Sequence, residues 1–317
     1  MSFPDAKRSA KTMGAVLDEE LAEDVAPDVR AMANAIVAAH GGSVAAVLFY
    51  GSCLRDSSTA GVLDFYVLVD DYRAYHRRAM PALFNFLLPP TVSQWRIRGS
   101  SGPLRAKVAV ISRAQFRRRM NARNLDTSLW IRFCQPCALV YRRDTETADW
   151  VVETLGQAIS TAAEWAVRLG PAEGEPGSYW RALFRNSYRA ELRVERSADR
   201  GATIYEAAAA RYDRLLLPAL RRTGIRVQSA AAGQVRPFCR HRGTAAAWFL
   251  RCAVGKTLTL ARLVKASFTF NDGVDYIVWK IERHSGRPLT LSPWQRRHPL
   301  LSAPAVLWRL WRSKTIR

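Results

Sequence analysis

The chain has 317 residues, 49% of them hydrophobic, which is enough apolar material for one large domain or two ordinary ones and excludes wholesale disorder. Lys and Arg number 48 against 27 Asp and Glu, a formal net charge of +21. This excess predicts attraction to an anionic partner, either nucleic acid, phospholipid headgroups or phosphorylated substrates, and it does not choose among them.

The sequence predicts a cytoplasmic protein, either soluble or peripheral on the inner face of the membrane. The segment "LDEELAED" is acidic where a secretory signal needs an apolar stretch. No apolar run approaches the roughly 18 to 20 residues of a membrane-spanning helix.

Helix and strand patterns alternate through the first 145 residues. "PDVRAMANAIVAAH" has the period of an amphipathic helix and ends at a glycine pair. "YRAYHRRAMPALFNFLL" predicts one helix that ends near Pro89-Pro90, with Asp70 or Asp71 as its N-cap. Short apolar runs predict four strands: "VAAVLFY", "VLDFYVLVD", "AKVAVIS" and "CALVY". These patterns predict an α/β domain over residues 1–145.

Strand patterns fade in the rest of the chain. "ADWVVETLGQAISTAAEWAVRL" predicts a long helix, and "GPAEGEPGS" after it predicts a linker or a long turn. Residues 179–223 and 244–284 also have helical patterns. We therefore expect a mainly helical domain over 146–302.

The single CxxC motif "CQPC" is a weak indication of a zinc site. Neither a second cysteine pair nor a nearby histidine accompanies Cys134 and Cys137. Ordinary reduced thiols, partly buried, are the better interpretation.

The segment "YGSCLRDSSTAGVLDFYVLVDD" has the order of parts that nucleotidyl transfer requires. The Gly51-Ser52 turn follows the first strand, and Asp64 begins the second. Backbone N–H groups at such a turn can hold the leaving phosphates, and a carboxylate can hold the Mg²⁺ that neutralises them. A common turn followed by a capping aspartate would give the same pattern, so the motif alone is a hypothesis.

Most enzymes of this kind place a second carboxylate two residues after the first, where this chain has Tyr66. Tyr66 shares a strand face with Asp64, but a phenol with a pKa of about 10 does not replace a carboxylate. Asp70 shares the face too, yet six residues along a strand is roughly 20 Å. A metal site at Asp64 must therefore recruit another group.

Five motifs in a shared order resemble the mitochondrial-type, peripheral phosphatidate cytidylyltransferases, also called CDP-diacylglycerol synthases. The run "FYGS" is similar to the family's Gly-Ser turn, and "LDFYVLVDD" to its acidic motif, in which the second Asp is also missing. Tyr75-His76 stands where the family has Trp-His. "KVAVIS" is similar to the family's lysine-bearing strand, "IRFCQP" to its Gly-Arg-Leu-x-Lys-Pro motif without the glycine and lysine, and "KASFTFNDGVDYIVWKI" to its C-terminal lysine helix.

The resemblance implies a nucleotidyltransferase-like α/β domain with a mixed sheet, followed by a mainly helical domain. It implies that a phosphate oxygen of phosphatidic acid attacks the α-phosphorus of CTP, with Mg²⁺, to give CDP-diacylglycerol and pyrophosphate. It assigns catalysis to Asp64, Lys107 and Lys265. It assigns nucleotide binding to Gly51, Ser52, Arg132 and His76. It assigns the metal to Asp64, Asp70 and Asp71.

Two other interpretations stay open. The positive charge suits an RNA-tailing nucleotidyltransferase equally well, although no RNA-binding module is recognisable and no nucleic-acid partner is expected. A non-catalytic member of the fold is the third, and the presence of Asp64 argues mildly against it. The oligomeric state does not follow from the sequence.

The last segment, residues 303–317, predicts an amphipathic helix that contacts an anionic membrane surface. Leu307, Leu310 and Trp311 fall at helical spacing, and arginines and a lysine lie between and after them. The segment is too short to span a bilayer and suits a helix in the interface. A helix packed on the protein's own core would show the same pattern.

Overall fold

The computed structural model describes residues 13–59, 61–100, 102–190, 203–230, 233–239, 243–269 and 292–297. Two predicted segments lie outside these residues: the membrane helix at 303–317, and the stretch after 269 that holds Tyr276 and Lys280. The domain boundaries at about 145 and 302 stay predictions.

A five-stranded sheet forms the first half of the molecule. Its strands are β1 (Val44–Tyr50), β2 (Val62–Val69), β3 (Thr91–Gly99), β4 (Gly102–Ser112) and β5 (Cys137–Arg142), in the order β3-β4-β2-β1-β5. β2 and β4 are parallel, and the other neighbours are antiparallel. The sheet is therefore mixed, as expected.

Short helices connect and flank these strands. They are α1 (13–21), α2 (Pro27–His40), α3 (Ser52–Arg55), α4 (Tyr72–His76), α5 (Ala79–Leu87), α6 (Arg113–Arg118) and α7 (Ser128–Phe133), with a 3-10 turn at Gly41–Ser43. The four-residue α3 provides the connection between β1 and β2.

In the residues described after 145, the chain is helical apart from one small hairpin. Its elements are α8 (Thr145–Leu169), α9 (Pro176–Ala190), α10 (203–206), α11 (Ala209–Thr223), β6 (Val227–Ser229), β7 (Val235–Pro237), α12 (Thr244–Thr269) and α13 (Pro293–Arg297). The predicted linker between α8 and α9 is a turn, and its Gly174 bridges to Val235 of the hairpin. The predicted fold class, an α/β part with a mixed sheet followed by a mainly helical part, is confirmed.

The two faces of the sheet pack into different apolar clusters. Alternation along β2 sends Phe65 and Val67 to the face covered by α2 and α4, and Tyr66 and Leu68 to the other face. That second cluster continues without a break into the helical half through buried residues of α8, α9 and α11 such as Leu155, Trp180 and Leu216. The sheet face that carries Tyr66 therefore shares one core with helices α8, α9 and α11.

Three local features differ from the sequence-based expectation. The helix predicted from residue 72 to about 88 is two helices, because Arg77 adopts a left-handed φ of 55° and ends α4. Strand β3 was not expected: it is an edge strand whose polar side chains interrupt the apolar alternation. The small β6–β7 hairpin was not expected either.

The cysteines of the CxxC motif are free and fully buried, whereas partial burial was expected. Burial raises the pKa of Cys134 to about 12 and that of Cys137 further, so both stay protonated thiols at neutral pH. In the part of the chain that the structure describes, no helix has the length and hydrophobicity needed to traverse a bilayer.

Candidate functional site

The Gly51-Ser52 turn and the Asp64 carboxylate lie against each other. Antiparallel pairing of β1 and β2 sets Tyr50 opposite Asp64, so the turn that follows Tyr50 begins beside the carboxylate. Gly51 has a φ of 98°, and a Cβ at this position would lie 3.0 Å from Asp64 Oδ2. Glycine is therefore required twice, by the backbone conformation and by the approach of the carboxylate.

Two cationic side chains accompany Asp64. Parallel pairing of β2 with β4 places Lys107 next to it in the sheet, and Arg132 approaches from α7. Burial raises the pKa of Asp64, and the positive charges of Lys107 and Arg132 act in the opposite direction. The site thus combines one largely buried carboxylate with two cations at the end of β1.

Tyr66, where a second carboxylate is usual, has a different role. Its ring is buried against Tyr50 and Phe133, with centroids 5.4 and 5.0 Å away. Arg132 Nη1 donates a 2.8 Å hydrogen bond to the Tyr66 hydroxyl, and the guanidinium lies 5.4 Å from the Tyr50 ring centroid. The phenol therefore positions Arg132. No local sequence pattern indicates this pair, because the two residues are 66 positions apart.

Asp70 and Asp71 do not join Asp64, so the predicted set of three metal-binding aspartates is corrected. Both lie beyond the opposite end of β2, roughly 20 Å along the strand. Asp70 accepts from Arg113 Nε at 2.6 Å and Arg143 Nη1 at 2.7 Å. Partial burial acts to raise the pKa of Asp70, but these hydrogen bonds hold it below its ordinary value. Asp71 caps α4 by accepting from a backbone N–H at 2.9 Å, as the sequence allowed.

His76 also lies away from Asp64. Its Nε2 is 2.8 Å from Asn85 Oδ1, and burial lowers its pKa. Asn85 in turn donates to the Val110 carbonyl, toward the end of β4. His76 is therefore placed by an internal hydrogen-bond chain, and the expected contact with the nucleotide is not formed by this geometry.

Lys265 is likewise outside the group around Asp64. Its ammonium donates to the carbonyls of Leu88 and Pro90 and to Thr91 Oγ1, so three protein oxygens match its three N–H donors. Thr91 is paired with Val110, three residues beyond Lys107 and on the far side of β4 from Asp64. Burial and the charge of Arg262 lower the pKa of Lys265 to about 7. In the described residues, the hydrogen bonds of Lys265 join α12 to the connection between α5 and β3.

The side chains around Asp64 offer one carboxylate to a Mg²⁺ ion. In phosphate-transfer sites Mg²⁺ binds through one or two carboxylates, with phosphates and water as the other ligands. Asp64 fits as that single protein ligand for an ion that arrives with a nucleotide. Among the described residues no group of three or more His, Cys, Asp or Glu side chains forms a metal site made by protein alone.

Comparisons of sequence give no match, whereas the comparison with solved structures includes a distant neighbour. No protein-family model matches the chain, and no curated protein does. Among solved structures, a nucleotidyltransferase-like protein from Exiguobacterium sibiricum 255-15 is 12% identical, with 90% of this chain and 92% of that chain covered and a TM-score of 0.27. A function for this chain therefore has to be inferred from its own Gly-Ser turn, Asp64 and neighbouring cations.

Proposed function

We propose that the chain is a nucleotidyltransferase that transfers the cytidylyl group of CTP to phosphatidic acid, giving CDP-diacylglycerol and pyrophosphate. The observation that carries the nucleotidyltransferase part is the close approach of the Asp64 carboxylate to the Gly51 backbone, with Lys107 alongside. The choice of CTP and of phosphatidic acid is supported by the motif resemblance and by the charge of +21.

Each residue of the site has a role in this reaction. Asp64 would hold Mg²⁺, which when bound neutralises phosphate charge. The Gly51-Ser52 backbone lets the triphosphate come close, because no Cβ stands at Gly51. Lys107 and Arg132 supply positive charge for the phosphates, and Tyr66 fixes the Arg132 guanidinium.

The reaction does not require a general base. The acceptor phosphate monoester is already largely ionised near pH 7. Its oxygen forms the new bond to the α-phosphorus while the bond from that phosphorus to the pyrophosphate oxygen breaks. Catalysis consists of positioning and charge stabilisation, which are the contributions that a carboxylate with two cations can make.

The test is transfer from each labelled nucleoside triphosphate, with Mg²⁺, to phosphatidic acid vesicles or to RNA. We expect label from CTP in the lipid fraction and release of pyrophosphate. Asp64→Asn should abolish transfer with the fold retained. Asp56→Asn, an exposed aspartate that follows α3, is the matched control and should keep full activity. Near-normal turnover by Asp64→Asn would refute its role, and transfer to RNA alone would replace the lipid acceptor.

A second candidate is a non-catalytic phosphate-binding protein of the same fold. The observation that favours it is Tyr66, buried and hydrogen-bonded to Arg132 where a second carboxylate is usual. This candidate predicts that CTP binds, by calorimetry, with no turnover on any acceptor. Binding weakened by Lys107→Ala, without measurable transfer by the unmodified chain, would favour it over the enzyme.

A further inference from the structure

Helix α5 presents its hydrophobic side chains outward and its polar side chain inward. Five large apolar residues of this nine-residue helix are 41 to 63% exposed: Met80, Leu83, Phe84, Phe86 and Leu87. The buried positions are Ala82 and the only polar residue of the helix, Asn85, which is fully buried. A helix on a water-facing surface normally shows the reverse arrangement.

The inward position of Asn85 is fixed by hydrogen bonds and is not a chance rotation. Asn85 Nδ2 donates to the Val110 carbonyl at 3.0 Å, and its Oδ1 contacts His76. Gln115 of α6 donates from the side to the Phe86 carbonyl at 2.9 Å. Rotating α5 to hide its apolar residues would break these buried contacts, so the outward apolar face is built into the fold.

The outward residues form one continuous face. At about 100° per residue, Met80, Leu83, Phe84 and Leu87 fall within a single arc of about 100°, and Phe86 lies about 60° outside it. Such side chains offer about 150 Å² or more each when fully exposed, so half exposure of five gives roughly 400 Å². That area is in the range of functional patches on the surfaces of soluble proteins.

Basic side chains lie close to α5 along the chain and on a contacting helix. Arg73, Arg77 and Arg78 are exposed on α4 and on the connection that leads into α5. α6, which contacts α5 through Gln115, continues into Arg117, which pairs with Glu153 at 2.9 Å, and into the exposed Arg118. An apolar helix face with arginines at its border is the pattern of a helix that lies in a membrane interface.

We propose that the outward face of α5 is a membrane-contact surface that inserts into the headgroup region of an anionic bilayer. Phe and Leu side chains would enter the apolar boundary, and the flanking arginines would meet lipid phosphates. A bilayer is favoured over a protein partner because the face is rich in leucine and phenylalanine and because exposed arginines precede α5 in the chain. The proposal does not depend on the chemistry at Asp64, since α5 lies at the opposite end of β2.

The test compares two double substitutions in the full-length chain. F84Q/L87Q removes one Phe and one Leu from the α5 face, and F249Q/L250Q removes the same residue types from exposed positions on α12. Binding is measured by cosedimentation with vesicles of equal parts phosphatidylcholine and phosphatidylglycerol. We expect F84Q/L87Q to bind at least about tenfold more weakly, and F249Q/L250Q to bind as the unmodified chain does.

A second measurement does not rely on substitution. Hydrogen–deuterium exchange of the unmodified chain with these vesicles should show new protection over 79–87. Equal vesicle binding by both variants, or exchange in α5 that the vesicles leave unchanged, would overturn the proposal. Self-association of the unmodified chain in ultracentrifugation that F84Q/L87Q abolishes, without vesicle binding, would assign the face to a second copy instead.

Discussion

Replacing Asp126 with asparagine should destabilise the whole molecule, because this carboxylate neutralises two arginines in the interior. Asp126 accepts from Arg119 Nη1 at 2.9 Å and from Arg262 Nη2, and its side chain is 3% exposed. The two arginine side chains are only 15 and 17% exposed. Arg262 belongs to α12, so the cluster also fastens the helical half to the loop between α6 and α7.

The size of this destabilisation follows from the two arginine charges that lose their carboxylate partner. Removing one partner of a buried ion pair costs about 3 to 5 kcal/mol, because the remaining charge is left without compensation in a poorly solvated place. With an m-value near 3 kcal/mol/M, that loss lowers the urea midpoint by about 1 to 2 M. Tryptophan fluorescence during urea unfolding measures the shift of the midpoint. Asp149→Asn is the matched control, because Asp149 is exposed on α8.

The pH dependence of the free energy of unfolding tests whether the ionised Asp126 carboxylate causes this loss of stability. Burial acts to raise the pKa of Asp126, but the charge and hydrogen bond of Arg262 hold it below the ordinary value of 3.8. The carboxylate therefore contributes its full stability above pH 4, and the contribution is lost as the pH falls through the depressed folded-state pKa. The difference between the unmodified chain and D126N should be constant from pH 5 to 7 and shrink in stronger acid. A loss at pH 7 no larger than that of Asp149→Asn would refute the reasoning.

Three further substitutions test the placement of individual residues. Lys265→Ala should cost about 2 kcal/mol of unfolding free energy, because three oxygens lose their donor, whereas Lys256→Ala, exposed on the same helix, should change little in urea unfolding. If the loss of activity in Lys265→Ala exceeds the loss of folded protein, Lys265 also contacts phosphate. Tyr66→Phe should cost about 1 kcal/mol and keep much of the activity, and complete inactivation would show that the hydroxyl itself is needed. Asp71→Ala should cost about 1 kcal/mol through the lost cap, and unchanged Mg²⁺ dependence of transfer would exclude it as a metal ligand.

The sequence predicted the sheet well where its residues are apolar on both faces. β1, β2 and β4 lie where their runs indicated, because these central strands are buried along most of their predicted length and their apolar runs are nearly continuous. β3 was not predicted, because an edge strand needs only half of its side chains in the core. The break at Arg77 depends on one left-handed residue, which carries no signal in an arginine.

Only those residues of the candidate site that lie in one short segment could be placed together from the sequence. Gly51, Ser52 and Asp64 belong to one short segment, so spacing along the chain was enough to place them together. Lys107 and Arg132 came from a resemblance, and the strand order β4-β2-β1 and the packing of α7 bring them beside Asp64. For Lys265 and His76 the resemblance indicated a residue type but not the residues that surround it in the fold. Tertiary packing places both side chains against oxygen atoms of the protein itself.

The core shared by the sheet and the late helices has a consequence for synthesis on the ribosome. The sheet face that carries Tyr66 packs against Phe133 of α7 and against α8, and α8 packs in turn against α11. Roughly 60 residues separate Leu155 of α8 from Leu216 of α11, which at about 5 to 20 residues per second leaves the outer side of α8 uncovered for about 3 to 12 seconds. During that time the nascent chain exposes apolar side chains of α8, and a chaperone that holds emerging chains would be needed most before α11 leaves the ribosome.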